Sequence, residues 1–167
     1  ILTFPDERLG AVASPVEVID DELRETVREM FDLMYESKGI GLAAPQVGIS
    51  KRFVVMDLEA GDEEHQGENQ LVLINPTIVR KEGSIVWEEG CLSLPGVLGK
   101  VKRAETVLIS ALDLEGREFE LAGHELTAVA LQHEIDHLDG VLYIDRMNPL
   151  QKKFLLKEYR KVEEEED

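Results

Sequence analysis

Gln132-His133-Glu134-Ile135-Asp136-His137 places two histidines four residues apart, with a glutamate directly after the first. On a helix turning about 100° per residue, His137 lies only about 40° around from His133, so both imidazoles leave one face and can share one cation. Glu134 sits about 100° from His133, at the edge of that face, where it can handle protons without being a ligand. Leu126, Val129 and Ala130 continue the surface below the pair and would set a metal beside an apolar floor. Asp136 lies behind His133, suited to orient an imidazole or an arginine. His124 falls on the opposite side of the same predicted helix and His65 in an acidic loop, so neither reads as a ligand.

A catalytic site of the zinc type has three protein ligands and one open position, so a third ligand is required. A metzincin pattern needs Gly at the third and His at the sixth position after His137; Gly140 fits and Tyr143 does not. A glutamate about twenty residues on would be Glu158, which stands in the lysine-rich run KKFLLKEYRK. The other candidate is Cys91, the only thiol of the chain, in Glu88-Glu89-Gly90-Cys91-Leu92-Ser93-Leu94-Pro95. A thiolate beside two imidazoles suits Zn or Fe(II) better than Mg or Ca.

The elements that must position these groups read as follows. Residues 1–15 have two prolines and no sustained period, which predicts an extended arm. From the N-cap Asp20, the apolar residues Leu23, Val27, Met30, Phe31 and Met34 follow a helical period that Gly39 ends. Gly39 to Gly48, with three Gly and one Pro, predicts a shaped loop. Arg52 to Leu58 and Gln70 to Asn75 read as strands joined by a mobile acidic loop, and Ser84 to Trp87, Val101 to Lys102 and Thr106 to Asp113 as further short strands. Leu114 to Arg117 reads as a hairpin turn returning through Glu118 to Leu121. The metal-bearing helix is expected from after Gly123 to Leu138, then an extended piece over Val141 to Ile144. Asn148-Pro149 opens a closing helix with Leu155, Tyr159 and Val162 on one face, ending in Glu163 to Asp167. This order predicts an α+β fold: a mainly antiparallel sheet packed around a central metal-binding helix, with an N-terminal helix and a C-terminal helix.

The chain of 167 residues is 43% apolar and 32% charged, enough for one domain, 1–167, with an aliphatic core. One cysteine excludes a disulfide framework. A net charge of −17 argues against DNA or anionic-lipid binding by the general surface and, through self-repulsion, for a monomer. No apolar run reaches the roughly 18 to 20 residues of a spanning helix and no signal peptide opens the sequence, so the expectation is a cytoplasmic protein.

Three segments, GIGLAAPQ (Gly39 to Gln46), EGCLSLP (Glu89 to Pro95) and QHEIDH (Gln132 to His137), give the sequence a resemblance to bacterial peptide deformylase, supported by FPDERL, INP at Ile74 to Pro76 and VKRAETV at Val101 to Val107. The resemblance implies Cys91, His133 and His137 as ligands of one divalent metal, Fe(II) in cells, with Zn, Ni or Co able to replace it. It makes Glu134 the general acid/base, with the Gln46 amide and the Leu92 N–H as oxyanion donors. The implied substrate is the N-formyl-methionyl end of a nascent polypeptide, hydrolysed to formate and a free amine. Gly39, Ile40, Gly41 and Gly90 would meet the peptide backbone. Leu126, Val129 and Ala130 would floor the methionine pocket, with Ile40 and Trp87 as walls. Glu89, beside the substrate site, would also hold a ligand imidazole. The resemblance further implies ribosome docking through the C-terminal helix, where Lys152, Lys153, Lys157, Arg160 and Lys161 would serve and the five terminal acids oppose. A departure from the family is Gly96-Val97-Leu98-Gly99, which lacks the basic residue that relatives carry soon after EGCLS, leaving downstream peptide preference open. The competing functions are a metallo-endopeptidase, marked by cleavage of unblocked peptides, and a noncatalytic module whose site a fourth protein ligand closes.

Overall fold

In the computed structural model, which describes residues 1–166, Asp20 caps the first helix, its side chain accepting a hydrogen bond from Leu23 N at 2.9 Å. Helix α1 runs Asp21–Glu36 and buries Val27, Met30, Phe31 and Met34. The segment predicted as a loop carries order: β1 (Gly41–Ala43) and a 3-10 turn over Ala44–Val47. Strands β2 (Phe53–Met56), β3 (Leu71–Glu82), β4 (Ile85–Cys91), β5 (Leu94–Arg103), β6 (Thr106–Leu112) and β7 (Glu118–His124) follow. Helix α2 spans Leu126–Leu138 and α3 spans Pro149–Glu166, with Leu150 N bonded to Asn148 Oδ1 at its start. The last of the five terminal acids, Asp167, lies outside the described residues.

Two antiparallel sheets result, one ordered β1-β2-β3-β6-β7 and the other the β4-β5 hairpin. Helix α2 packs against β1, β2 and β7, and its eleven residues from Ala128 to Leu138 are all buried. Helix α3 packs on β5, where Leu155 and Tyr159 join Leu94, Val97 and Val101 in one apolar cluster. The sheet wrapped on a central helix, flanked by two others, is the α+β arrangement expected.

Several local expectations are corrected. The central helix begins at Leu126, and His124 ends β7, where its Nδ1 lies 3.2 Å from Thr106 Oγ1. The turn between them is made by Glu125 at φ 52°, a conformation glycine takes without cost. Residues 143–146 form a 3-10 turn rather than extended chain. Residues 59–69 fold into successive turns tied to the buried Asp57, whose carboxylate accepts from Glu59 N, Gly67 N and the Tyr35 hydroxyl, the last at 2.6 Å. Among the described residues, no helix is long and apolar enough to cross a membrane.

Candidate metal and hydrolytic site

Helix α2 and the end of β4 bring the three predicted ligands together. The ligand atoms of Cys91, His133 and His137 all lie within 4.8 Å of one another. Cys91 Sγ is 3.4 Å from His137 Nε2, and the two imidazole centroids are 5.0 Å apart. Ligands at about 2.0–2.3 Å around a tetrahedral ion are separated by comparable distances, and thiolate plus imidazole donors suit Zn or Fe(II). Glu158, the alternative third ligand, is exposed on α3 and borders a separate hollow against Glu88, Leu98 and Lys100.

Behind the ligands stands a buried chain of charges. His133 Nδ1 lies 2.8 Å from Glu89 Oε1, which leaves Nε2 for a cation. Both oxygens of Glu89 accept from Arg103, at 2.6 and 2.9 Å, and Arg103 also donates to Asp136 Oδ2 at 2.9 Å. Arg146 completes Asp136 from outside. Glu89, expected beside the substrate, borders the cleft but is committed to His133 and Arg103. Burial alone would raise its pKa; the His133 and Arg103 hydrogen bonds hold it below the usual range. Asp136 orients an arginine, as its place behind His133 suggested. Sequence reasoning missed Arg103; the available signal was a charge at an inward position of an alternating strand, since Val97, Val101 and Arg103 are all buried. Tyr143 was also missed. It stacks on His133, centroids 5.9 Å apart, and its buried hydroxyl has no partner among the described residues.

The site opens into a cleft of about 480 Å³. Every residue expected at the substrate lines it: Gly39, Ile40, Gly41, Trp87, Glu89, Gly90, Leu126, Val129 and Ala130, together with Gln46, Cys91, Leu92, His133 and Glu134. Val129 and Ala130 are buried, whereas Leu126 is 37% exposed and forms rim rather than floor. Gly41 is required here, because a Cβ on it would lie 2.8 Å from Glu134 Oε1. Gly39 similarly leaves room for Leu92. Glu134 Oε2 is buried without a partner among the described residues, and burial raises its pKa from 4.5 to about 7 against the pull of His133 and Arg103. Burial pushes His137 well below its usual value, and the charges of His133 and Arg103 add to this, favouring the neutral imidazole that a ligand must be. Gln46 Oε1 accepts from Ala43 N at 2.9 Å, while Nε2 faces Ser93 Oγ at 3.1 Å and Cys91 Sγ at 3.6 Å.

Comparison with known proteins adds a family. Residues 1–153 match the profile of the family described as polypeptide deformylase. The peptide deformylase of Chromobacterium violaceum is 47% identical over 165 residues, 99% of this chain and 96% of the relative, and that of Acidobacterium capsulatum is 50% identical over 163, 98% and 94%. Among solved structures, a peptide deformylase from Legionella pneumophila superposes with a TM-score of 0.92 at 43% identity, covering 99% of this chain and 95% of that one. A peptide deformylase from Synechococcus elongatus in complex with actinonin gives 0.89 at 47%, covering 95% and 85%.

Proposed function

The chain belongs to the polypeptide deformylase family, metal-dependent hydrolases that remove the N-formyl group from nascent polypeptides, and from that premise we propose how its residues carry the reaction. The observation that supports the reading is the convergence of the Cys91, His133 and His137 ligand atoms beside the cleft, whose lining includes Cys91, His133, Glu134 and Gln46.

Cys91, His133 and His137 would hold one divalent ion, Fe(II) as the native metal with Zn, Ni or Co able to substitute. An ion bound there would supply Lewis acidity and lower the pKa of water toward neutral pH. Glu134 takes the proton of the attacking water and returns one to the departing amine nitrogen. As water adds to the formyl carbon, the negative charge that develops on the carbonyl oxygen is met by the Gln46 side-chain amide and the Leu92 N–H. Gln46 suits this role because its Nε2 end faces Cys91 while its Oε1 end is fixed on Ala43 N.

The peptide enters as an added strand. Among the described residues, β1 pairs only with β2 and β4 only with β5, so each presents an open edge, and both edges border the cleft. The unbranched methionine side chain then reaches Val129 and Ala130, with Ile40, Trp87 and Leu126 around it. The chain acts as one domain, a monomer in the cytoplasm. It docks on the ribosome through the exposed Lys153, Lys157, Arg160 and Lys161 of α3. Because α3 also carries the buried Leu155 and Tyr159, charge reversal at those four positions, rather than deletion of the helix, tests docking by co-sedimentation. Unchanged co-sedimentation would end that part of the reading.

Formate release from a short formyl-Met peptide, by protein purified without oxygen, is the direct test. Acetylated and unblocked peptides should remain intact. Cleavage within the unblocked peptide would instead indicate the endopeptidase.

A further inference from the structure

A carboxamide is nearly symmetric in shape, so a buried glutamine donates toward substrate only if something fixes which end is which and where its two N–H bonds point. Gln46 is 1% exposed, and its amide is held at both ends. The Ala43 N–H can only donate, which places Oε1 against it at 2.9 Å. At the other end Nε2 is 3.1 Å from the Oγ of Ser93, a residue with no exposed surface. With the Ser93 hydroxyl accepting one Nε2 hydrogen, the second is left directed to the side of Cys91 Sγ, 3.6 Å away.

Ser93 also follows Cys91 and Leu92 in the turn between β4 and β5, and its own N–H points to Cys91 Sγ at 3.5 Å. The Ser93 to Gln46 hydrogen bond therefore fastens the turn bearing Cys91 and the Leu92 N–H to the segment bearing Gln46. The N-terminal arm closes the same frame from behind, with Leu2 N donating to Gln46 O at 2.7 Å and Phe4 N to Ser93 O at 2.8 Å. Phe4 is itself held by α3, its carbonyl accepting from the Tyr159 hydroxyl at 2.9 Å.

We infer that Ser93 is a positioning residue of the hydrolysis: its hydroxyl fixes the orientation of the Gln46 amide and the spacing of the two oxyanion donors. The inference rests on the deformylase reading. Ser93 has no exposed surface and is not among the residues lining the cleft or converging on the metal position, so its effect is expected in the chemical step rather than in binding. Loss of an oxyanion donor lowers turnover by about 10²–10³, and loss of the group that aims one lowers it by less, about tenfold.

The test compares Ser93→Ala and Ser93→Thr with the metal-loaded parent in formate release, metal stoichiometry and the nitrogen-resolved proton spectrum of the zinc-loaded protein. In the parent, the two Nε2 hydrogens of Gln46, identified by their loss in Gln46→Leu, should be well separated, one showing a cross-peak to the Ser93 Cβ hydrogens. In Ser93→Ala kcat should fall about tenfold while KM stays within about twofold and metal content is unchanged, and the two amide signals should converge. Ser93→Thr, which keeps the hydroxyl, should regain most of the loss. The inference is overturned by an alanine variant with the parent's kcat, by a loss confined to KM, or by a threonine variant as slow as the alanine one. If the alanine variant does not fold, the parent's cross-peak decides, and its absence overturns the proposal. A parent that releases no formate would overturn the deformylase reading, while the amide spectrum would still report the Gln46 geometry.

Discussion

Glu134 is the residue whose loss separates chemistry from assembly. Among the described residues its Oε2 is buried without a partner and its carboxyl is not among the converging ligand atoms, so it can be neutralised without emptying the metal site. Glu134→Gln should keep one metal per chain by elemental analysis and lower formate release by about 10²–10⁴-fold. Metal loss in that variant would reassign Glu134 as a ligand. Arg103 is the opposite case, since it touches nothing reactive and supports everything behind the ligands. Replacing it with Met leaves Glu89 buried without a guanidinium and Asp136 with Arg146 alone, a change of the kind that costs about 3–5 kcal/mol. Chemical denaturation should show a loss of that size, together with weaker metal retention because His133 loses its fixed partner. An unchanged midpoint would mean that the His133 contact to Glu89 and the Arg146 contact to Asp136 suffice without Arg103.

At the scale of elements, what could be read from sequence followed from how local the signals are. The start of α1 was legible because its cap is four residues of local chemistry, Asp20 to Leu23. Helix α2 was legible through its His spacing but misplaced at its start. It is buried on every side from Ala128 onward, so no polar face marks its beginning, and Glu125 offers no side-chain cap. Strands β4 and β5 were seen only at their far ends, Ser84 to Trp87 and Val101 to Lys102. Between lie Gly90, Gly96 and Gly99, which carry no strand signal; the backbone ladder there pairs Glu88 with Lys100 and Glu89 with Gly99, and shifts register at Gly90. The ligands, Glu134 and Gln46 stood in recognisable motifs, whereas Arg103 showed only as a charge at an inward position of an alternating strand, and the partnership of Ser93 with Gln46 joins distant segments and leaves no periodic trace. The strained entry into α2 yields a prediction of its own. Glu125→Gly relieves a φ of 52° and should leave the protein as stable or up to about 1 kcal/mol more stable by thermal unfolding. A drop of similar size would show that the Glu125 side chain matters more than its backbone.

The whole molecule carries a net charge of −17, and its self-repulsion should be relieved by salt. The melting temperature should rise between low salt and about 0.15 M sodium chloride, where screening acts within roughly 8 Å. A flat response would mean that the ion pairs already balance the surface. Acid acts elsewhere, through Asp57. Burial alone would raise its pKa, but the Tyr35 hydroxyl and the Gly67 and Glu59 N–H groups hold it below the usual 3.8. The folded state thus binds this proton less readily than the unfolded one, so the stabilisation is complete above about pH 4 and fades as pH falls through the folded value. Asp57→Asn should flatten the stability profile in that acid window, and an unaltered profile would remove Asp57 from the account. Finally, Cys91 is the sole thiol in 167 residues and lines the open cleft. A thiol-reactive chromophore therefore has one place to attach, with no background from elsewhere in the chain. Its rate of attachment turns the protein into its own gauge of occupancy, slow when the sulfur is coordinated and fast when it is not.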